Sequence, residues 1–354
     1  MRLFTTFILI SVVLVFSGSV CATELQEQNG EEESASMIIP VIMNGPDSGW
    51  VLGFIYMKQS PERNLFQGGL MYSEKDQMAC FAGIGHYLGD GKYLLKSQIA
   101  YSDSPNDFFG IGNEDPERTG EEYTLIAKMV SSGFLWRIKE DLYFGPYIAC
   151  NSFEVEDKTA GGQLARDNIC GSNGVDLVGL GLNLSQNKLD DSNNPKLGYA
   201  YDLILICYDD TLGSNEDFAQ LSADFSRFYS LDKWGVIGIN TQLLLSDGDV
   251  PFQMLPSLGN LDIMRGFEPN KYCDNNFFAI QGEYRFPIYK RWNGVTFVAL
   301  GDVADSVSNL KLDNYTYGFG IRFALDQDQT FKLRLDVGCG KDETAAYFGL
   351  QEAF

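Results

Sequence analysis

Histidine is almost absent: His86, in Ile84-Gly85-His86-Tyr87, is the only one in 354 residues. No Ser or Asp arrangement around it makes a nucleophile and base, so it is read as a strand residue. G-x-S-x-G elements, metal-ligand clusters and phosphate loops are missing as well, and the chain is therefore read as non-enzymatic, with no cofactor and no bound metal. Basic residues are scarce. Lys and Arg total 26 against 48 Asp and Glu, a net charge of -22, and without a basic stripe to release counterions from a phosphate backbone, nucleic acid is excluded as a partner. The surplus of acid reads as solvated loops. Seven cysteines occur without a C-x-x-C or histidine partners, which removes zinc and thioredoxin-type chemistry.

Long apolar runs are also lacking. The one candidate covers 4–16, between Arg2 and the small-residue site Val20-Cys21-Ala22. It is shorter than the roughly 20 residues of a spanning helix and reads as a secretory signal peptide over 1–22. Any membrane crossing by the mature chain then falls to strands. After Cys21 the remaining cysteines are Cys80, Cys150, Cys170, Cys207, Cys273 and Cys339. Cys170 and Cys273 both fall in expected surface loops, where an oxidising compartment permits a disulfide.

What is present is strand-forming material: 45% hydrophobic, 13% aromatic, 37 glycines and 11 prolines. An acidic periplasmic tail (23–36) leads into a barrel (37–354). The recurring unit of the barrel is a run of about ten residues with period-two alternation, ended by Asp, Asn, Gly or Ser. In Phe331-Lys332-Leu333-Arg334-Leu335-Asp336-Val337 the odd positions are apolar and the even ones charged. Successive side chains on a strand point to opposite faces, so one face suits lipid and the other water. Phe278, Ile280, Tyr284 and Phe286 alternate with Ala279, Gln281, Glu283 and Arg285; Tyr317, Phe319, Ile321 and Phe323 alternate with Gly318, Gly320 and Arg322.

Turn residues delimit sixteen such runs: 37–43, 49–57, 66–73, 78–88, 92–101, 123–137, 142–153, 175–184, 199–208, 220–231, 234–246, 277–287, 295–304, 315–323, 331–337 and 345–354. The pattern predicts an all-β, 16-stranded antiparallel transmembrane β-barrel, an even number that leaves both ends in the periplasm. Short connections such as 139–141 and 232–233 then fall on the periplasmic side. The long ones, 102–120, 154–172 and 247–276, fall outside. Segment 185–196 breaks this rule, being long yet periplasmic, which points to a register error there. Trp50, Trp136, Trp234 and Trp292 all stand beside expected strand ends, as interfacial aromatic belts require.

Four segments carry a family resemblance: Leu255-Pro256-Ser257-Leu258-Gly259 leading to Met264-Arg265-Gly266-Phe267; Gly282-Glu283-Tyr284-Arg285-Phe286-Pro287; 297–301; and 318–323. In order and spacing the last hundred residues resemble outer-membrane surface antigens of the BamA/TamA (Omp85) type. Upstream, Tyr72-Ser73-Glu74-Lys75-Asp76-Gln77 and Phe108-Phe109-Gly110-Ile111-Gly112-Asn113 resemble small members that lack the periplasmic POTRA domains, for which this chain leaves no room. The resemblance implies that the outer loop folds back into the lumen and is locked there by Arg265, Gly266 and Phe267, with Arg265 paired to the inward Glu283. Ala299 stands where the family has a second carboxylate and Asp302 has the opposite parity, so a three-residue charge cluster is not expected. Gly349 and the terminal Phe354 match the C-terminal insertion signal, while Glu352 occupies a position usually aromatic.

The implied setting is the Gram-negative outer membrane. Its implied partners are outer-membrane lipid and lipopolysaccharide, the barrel-assembly machinery during insertion, and a periplasmic chain that supplies the missing domains. The implied work is to assist insertion or translocation of polypeptide or lipid, with weak closure between first and last strands as its working part. A passive cation-preferring porin, and a surface antigen with no transport role, stay open beside it.

Overall fold

The computed structural model describes residues 35–354 apart from 46–48, 61–63, 114–118, 167, 192–193, 261, 269, 326–331 and 342. The expected signal peptide (1–22) lies outside these residues, as does most of the expected acidic tail (23–36). Two residues assigned to that tail, Ala35 and Ser36, belong to the first strand.

Alternating sequence folds as alternating structure. The strands are β1 (Ala35–Gly45), β2 (Gly49–Gln59), β3 (Leu65–Ser73), β4 (Met78–Leu88), β5 (Tyr93–Phe108), β6 (Glu121–Lys139), β7 (Leu142–Glu156) and β8 (Val175–Asn187). They continue as β9 (Gly198–Tyr208), β10 (Phe218–Ser230), β11 (Val236–Gly248), β12 (Asn276–Tyr289), β13 (Trp292–Ala304), β14 (Asn314–Ala324), β15 (Lys332–Cys339) and β16 (Thr344–Leu350). Each pairs antiparallel with its sequence neighbours in one 16-stranded sheet. No ladder joins β1 to β16 among the described residues.

The sheet nevertheless curls on itself. Strands lie about 4.8 Å apart, so the seven steps from β8 to β15 would span roughly 34 Å in a flat sheet. Yet Lys332 Nζ of β15 donates to Asn194, just beyond β8, at 2.7 Å. Asn113, after β5, reaches Asp302 on β13 at 2.9 Å, and Lys96 of β5 pairs with Asp202 of β9. Contacts of this span require a barrel wall.

Burial follows the expected parity. On β14, Tyr317, Phe319 and Ile321 are exposed on the outside, and Arg322 is fully buried inside. On β15, Leu335 faces out and Lys332, Arg334 and Asp336 face in. All four tryptophans are exposed near strand ends. Among the described residues no helix is long and apolar enough to cross a membrane.

Three differences from the sequence reading have physical causes. β5 continues to Phe108, well past the expected end at 101, because Ser102, Ser104 and Asn106 keep the inward positions without apolar residues to mark the period. The long segment 185–196 brings no register error. β8 and β9 pair without a shift from Gly179↔Tyr208 to Asn187↔Ala200, and beyond the paired residues Asp190 accepts from the backbone of Lys196 and Leu197. The last strand stops at Leu350 rather than 354, since Gln351 takes a left-handed φ of 63° and directs the tail inward.

None of the six cysteines among the described residues is in a disulfide, so the Cys170–Cys273 bridge is not formed. Cys273 is buried with its thiol toward the Gly110 carbonyl, and the Cys170 thiol lies toward that of Asp249. Burial, then Glu216, pushes the Cys170 thiol up to about 12. Because thiolate is the reacting species, alkylation of Cys170 at pH 8 is expected to be many-fold slower than that of a model thiol, the gap closing on unfolding. On the outer face, Phe319→Arg should cost about 2–4 kcal/mol in lipid and Trp234→Arg at the rim about 0–1 kcal/mol, measured by reversible unfolding. Equal costs would remove the apolar belt.

Candidate functional site: the docked 249–275 loop

The connection between β11 and β12 is long enough to cross the bore, and its composition divides it into two anchors. The first is apolar. Phe252 packs edge-on against Phe108 and Tyr123, within a cluster lined by Phe153, Leu177, Ile206 and Phe218 from β7 to β10. The second centres on Met264-Arg265-Gly266-Phe267. There Leu258, Ile263, Met264 and Phe267 bury themselves against Ala279 of β12 and Ala299 and Val303 of β13. The two arms of the loop pair with each other, Leu258 N donating to Tyr272 O at 2.9 Å. Asn260 caps the turn by accepting from the backbone of Asp262 and Ile263, both at 2.8 Å.

Arg265 has no exposed surface. One terminal nitrogen of its guanidinium pairs with Glu283 and the other with Asp336. The plane covers the Phe297 ring, 3.6 Å from its centroid, a cation–π contact that replaces water on that side. Asp336 is a correction to the sequence reading: Ala299 does leave that inward position of β13 without a carboxylate, but the second acid arrives two strands further on, from β15. Asp302 lies elsewhere, accepting from Asn113, Asn314 and the Lys311 backbone.

Close approach explains the glycines. Gly266 sits at φ 126°, and a Cβ there would lie 2.7 Å from the nitrogen of Gly340. A Cβ on Gly338 would lie 2.4 Å from the Arg265 carbonyl. The loop backbone thus rests directly on the β15–β16 hairpin, where only glycine leaves room. Gly266 N donates to the Tyr347 hydroxyl at 2.7 Å, Lys271 pairs with Glu343, and Phe267 meets Tyr272 edge-on.

The charges extend beyond Arg265. Arg285 holds Glu283 at 3.0 Å, Arg322 pairs with Asp336, and Arg322 also holds Glu352 at 2.8 Å. Arg334 is 3.6 Å from Asp262 of the loop. Arg265, Gly266, Phe267 and Glu283 are thus brought together. Gly349 stays on β16 against Arg334, and Phe354 has left the strand. The sequence reading did not assign Asp336, Arg322, Tyr347 or Glu343 to the site. The inward parity of Asp336 and Arg322 was visible in the alternation, but not their convergence on one loop.

Three variants probe this arrangement. Arg265→Ala, Glu283→Gln and Asp336→Asn should each lower stability by about 3–5 kcal/mol, since each strands a buried charge. The readout is a lower temperature for the shift from compact to extended mobility on gels. Arg265→Ala combined with Asp336→Asn should cost less than the sum, and unchanged mobility in all three would remove the role of the cluster.

A family model described as the Omp85 superfamily domain matches residues 114–350. Among solved structures, BamA from Haemophilus ducreyi lacking POTRA domains 1–3 superposes with a TM-score of 0.59 at 12% identity, covering 91% of this chain and 70% of that one. CdiB from Acinetobacter baumannii gives 0.55 at 12% identity, over 91% and 60%. CdiB from Escherichia coli gives 0.56 at 13%, over 92% and 63%; the chain spans less than two thirds of either CdiB. No functionally curated protein matches it in sequence. A domain match over most of the sheet, together with a barrel of the BamA and CdiB kind, places this chain in the Omp85 superfamily, as an outer-membrane β-barrel.

Proposed function

We propose that the barrel assists insertion or translocation of polypeptide or lipid at the Gram-negative outer membrane, with the seam between β1 and β16 as its working part. The observation that carries this reading is the 249–275 loop, anchored across the bore by Phe252 on one wall and by Arg265 on Glu283 and Asp336 on the other. A bore filled by a docked loop suits gated work better than steady diffusion. The seam supports it too: β16 has only 7 residues, and β1 pairs with β2 alone among the described residues.

In this reading the apolar outer face meets lipid and lipopolysaccharide. Gly349 and Phe354 address the unfolded chain to the barrel-assembly machinery. A separate periplasmic chain delivers substrate, and the Arg265, Gly266, Phe267 and Glu283 set keeps the loop locked between turnovers.

In planar bilayers the protein should show small, brief openings that become large and steady after deletion of 249–275. In vesicles it should speed insertion of a urea-unfolded small β-barrel several-fold over protein-free vesicles. A steady cation-selective conductance unaffected by the deletion, with no gain in insertion, would make it a passive porin instead.

A further inference from the structure

The tail after β16 is held inside the barrel as though it were a ligand. Gln351 N donates to the Lys332 carbonyl at 2.8 Å, where the chain turns inward. The Glu352 carboxylate then sits among Arg322 at 2.8 Å, Lys332 at 2.8 Å and Arg285 at 3.8 Å. A backbone oxygen of Phe354 accepts from Arg285 at 2.7 Å, and its ring lies 5.7 Å from that of Phe228 with the Arg285 guanidinium over it. Lys332 also donates to Asn194 of the 188–197 connection. Strands β10, β12, β14 and β15 therefore build a receptor for three residues of tail.

The tail shares its partners with the loop. Arg265 pairs with Glu283, Glu283 with Arg285, Arg285 with Glu352, Glu352 with Arg322, Arg322 with Asp336, and Asp336 again with Arg265. Three arginines and three carboxylates close a ring of alternating sign. The wall supplies four of the six, with no net charge. The loop supplies one cation, and the tail one anion. Docking either alone leaves the ring with a buried unit charge, whereas docking both leaves it neutral, so each favours the other. Beside the ring the wall also carries Lys332 and Arg334, whose positive charge is partly offset when Glu352 docks on Lys332, while Arg334 lies 3.6 Å from Asp262 of the loop.

We propose that loop and tail are two ligands of one buried charge ring and lock cooperatively, so that release at one rim of the barrel loosens the other. This does not depend on what the barrel transports, and its test uses no transport readout.

The full chain in detergent micelles is digested in two ways. Carboxypeptidase reports the tail through release of Phe354, and trypsin reports the loop through cleavage after Lys271. Glu352→Gln should raise both rates about fivefold or more, and Glu352→Asp should restore protection. Arg265→Ala should raise Phe354 release, because coupling between two sites is reciprocal. Where a charge variant does not fold, Phe354→Ala keeps all six charges. It removes ring packing from the tail, and trypsin cleavage after Lys271 should still rise. A freed tail with the loop rate within about twofold of wild type, or a protected tail in Arg265→Ala, would overturn the proposal.

Discussion

A fully buried guanidinium sets where the loop rests inside this barrel. Desolvating Arg265 costs several kcal/mol, and only near-ideal pairing offsets that cost. Glu283 and Asp336 supply the pairing from β12 and β15, and Phe297 closes the remaining face. Lysine offers no planar fork that could span two carboxylates on different strands. The loop can therefore rest at one depth and in one orientation, and the backbone around it has closed to a spacing that only Gly266 and Gly338 tolerate.

The interior is divided by chemistry. From β5 to β10 the lumen wall presents aromatic and aliphatic side chains to Phe252, a contact without strong directional demands. From β12 to β15 it presents Glu283, Arg285, Arg322, Lys332, Arg334 and Asp336. Charged pairs in a low-dielectric interior are exacting about geometry, so the apolar half holds the loop in the bore and the charged half sets where it stops. Glu352 belongs to that second half. As an outward strand residue it would be misplaced; turned inward by Gln351, it meets the cations that β12, β14 and β15 leave on the short-turn side of Asp336 and Glu283.

Much of the architecture was legible because a two-residue period carries both strand and face. All sixteen strands, the inward set on β12 and β15 and the four rim tryptophans follow from alternation and turn residues alone. The period failed where the signal was not apolar, as at Ser102, Ser104 and Asn106 on β5. It also failed where the chain left the strand, as at Gln351. The pairing of Arg265 with Glu283 could be expected from family spacing, but its second acid could not, since Asp336 lies 71 residues away on a strand that is not a neighbour of β12.

The sequence by itself determined the class of fold, the strand order and which side chains enter the lumen, because these depend on local periodicity. Tertiary structure alone decided which inward charges meet. Curling the sheet brings β12, β14 and β15 within reach of one loop and one tail, and that convergence depends on the curvature of the wall and on where a returning loop comes to rest, neither of which is a local property of the chain.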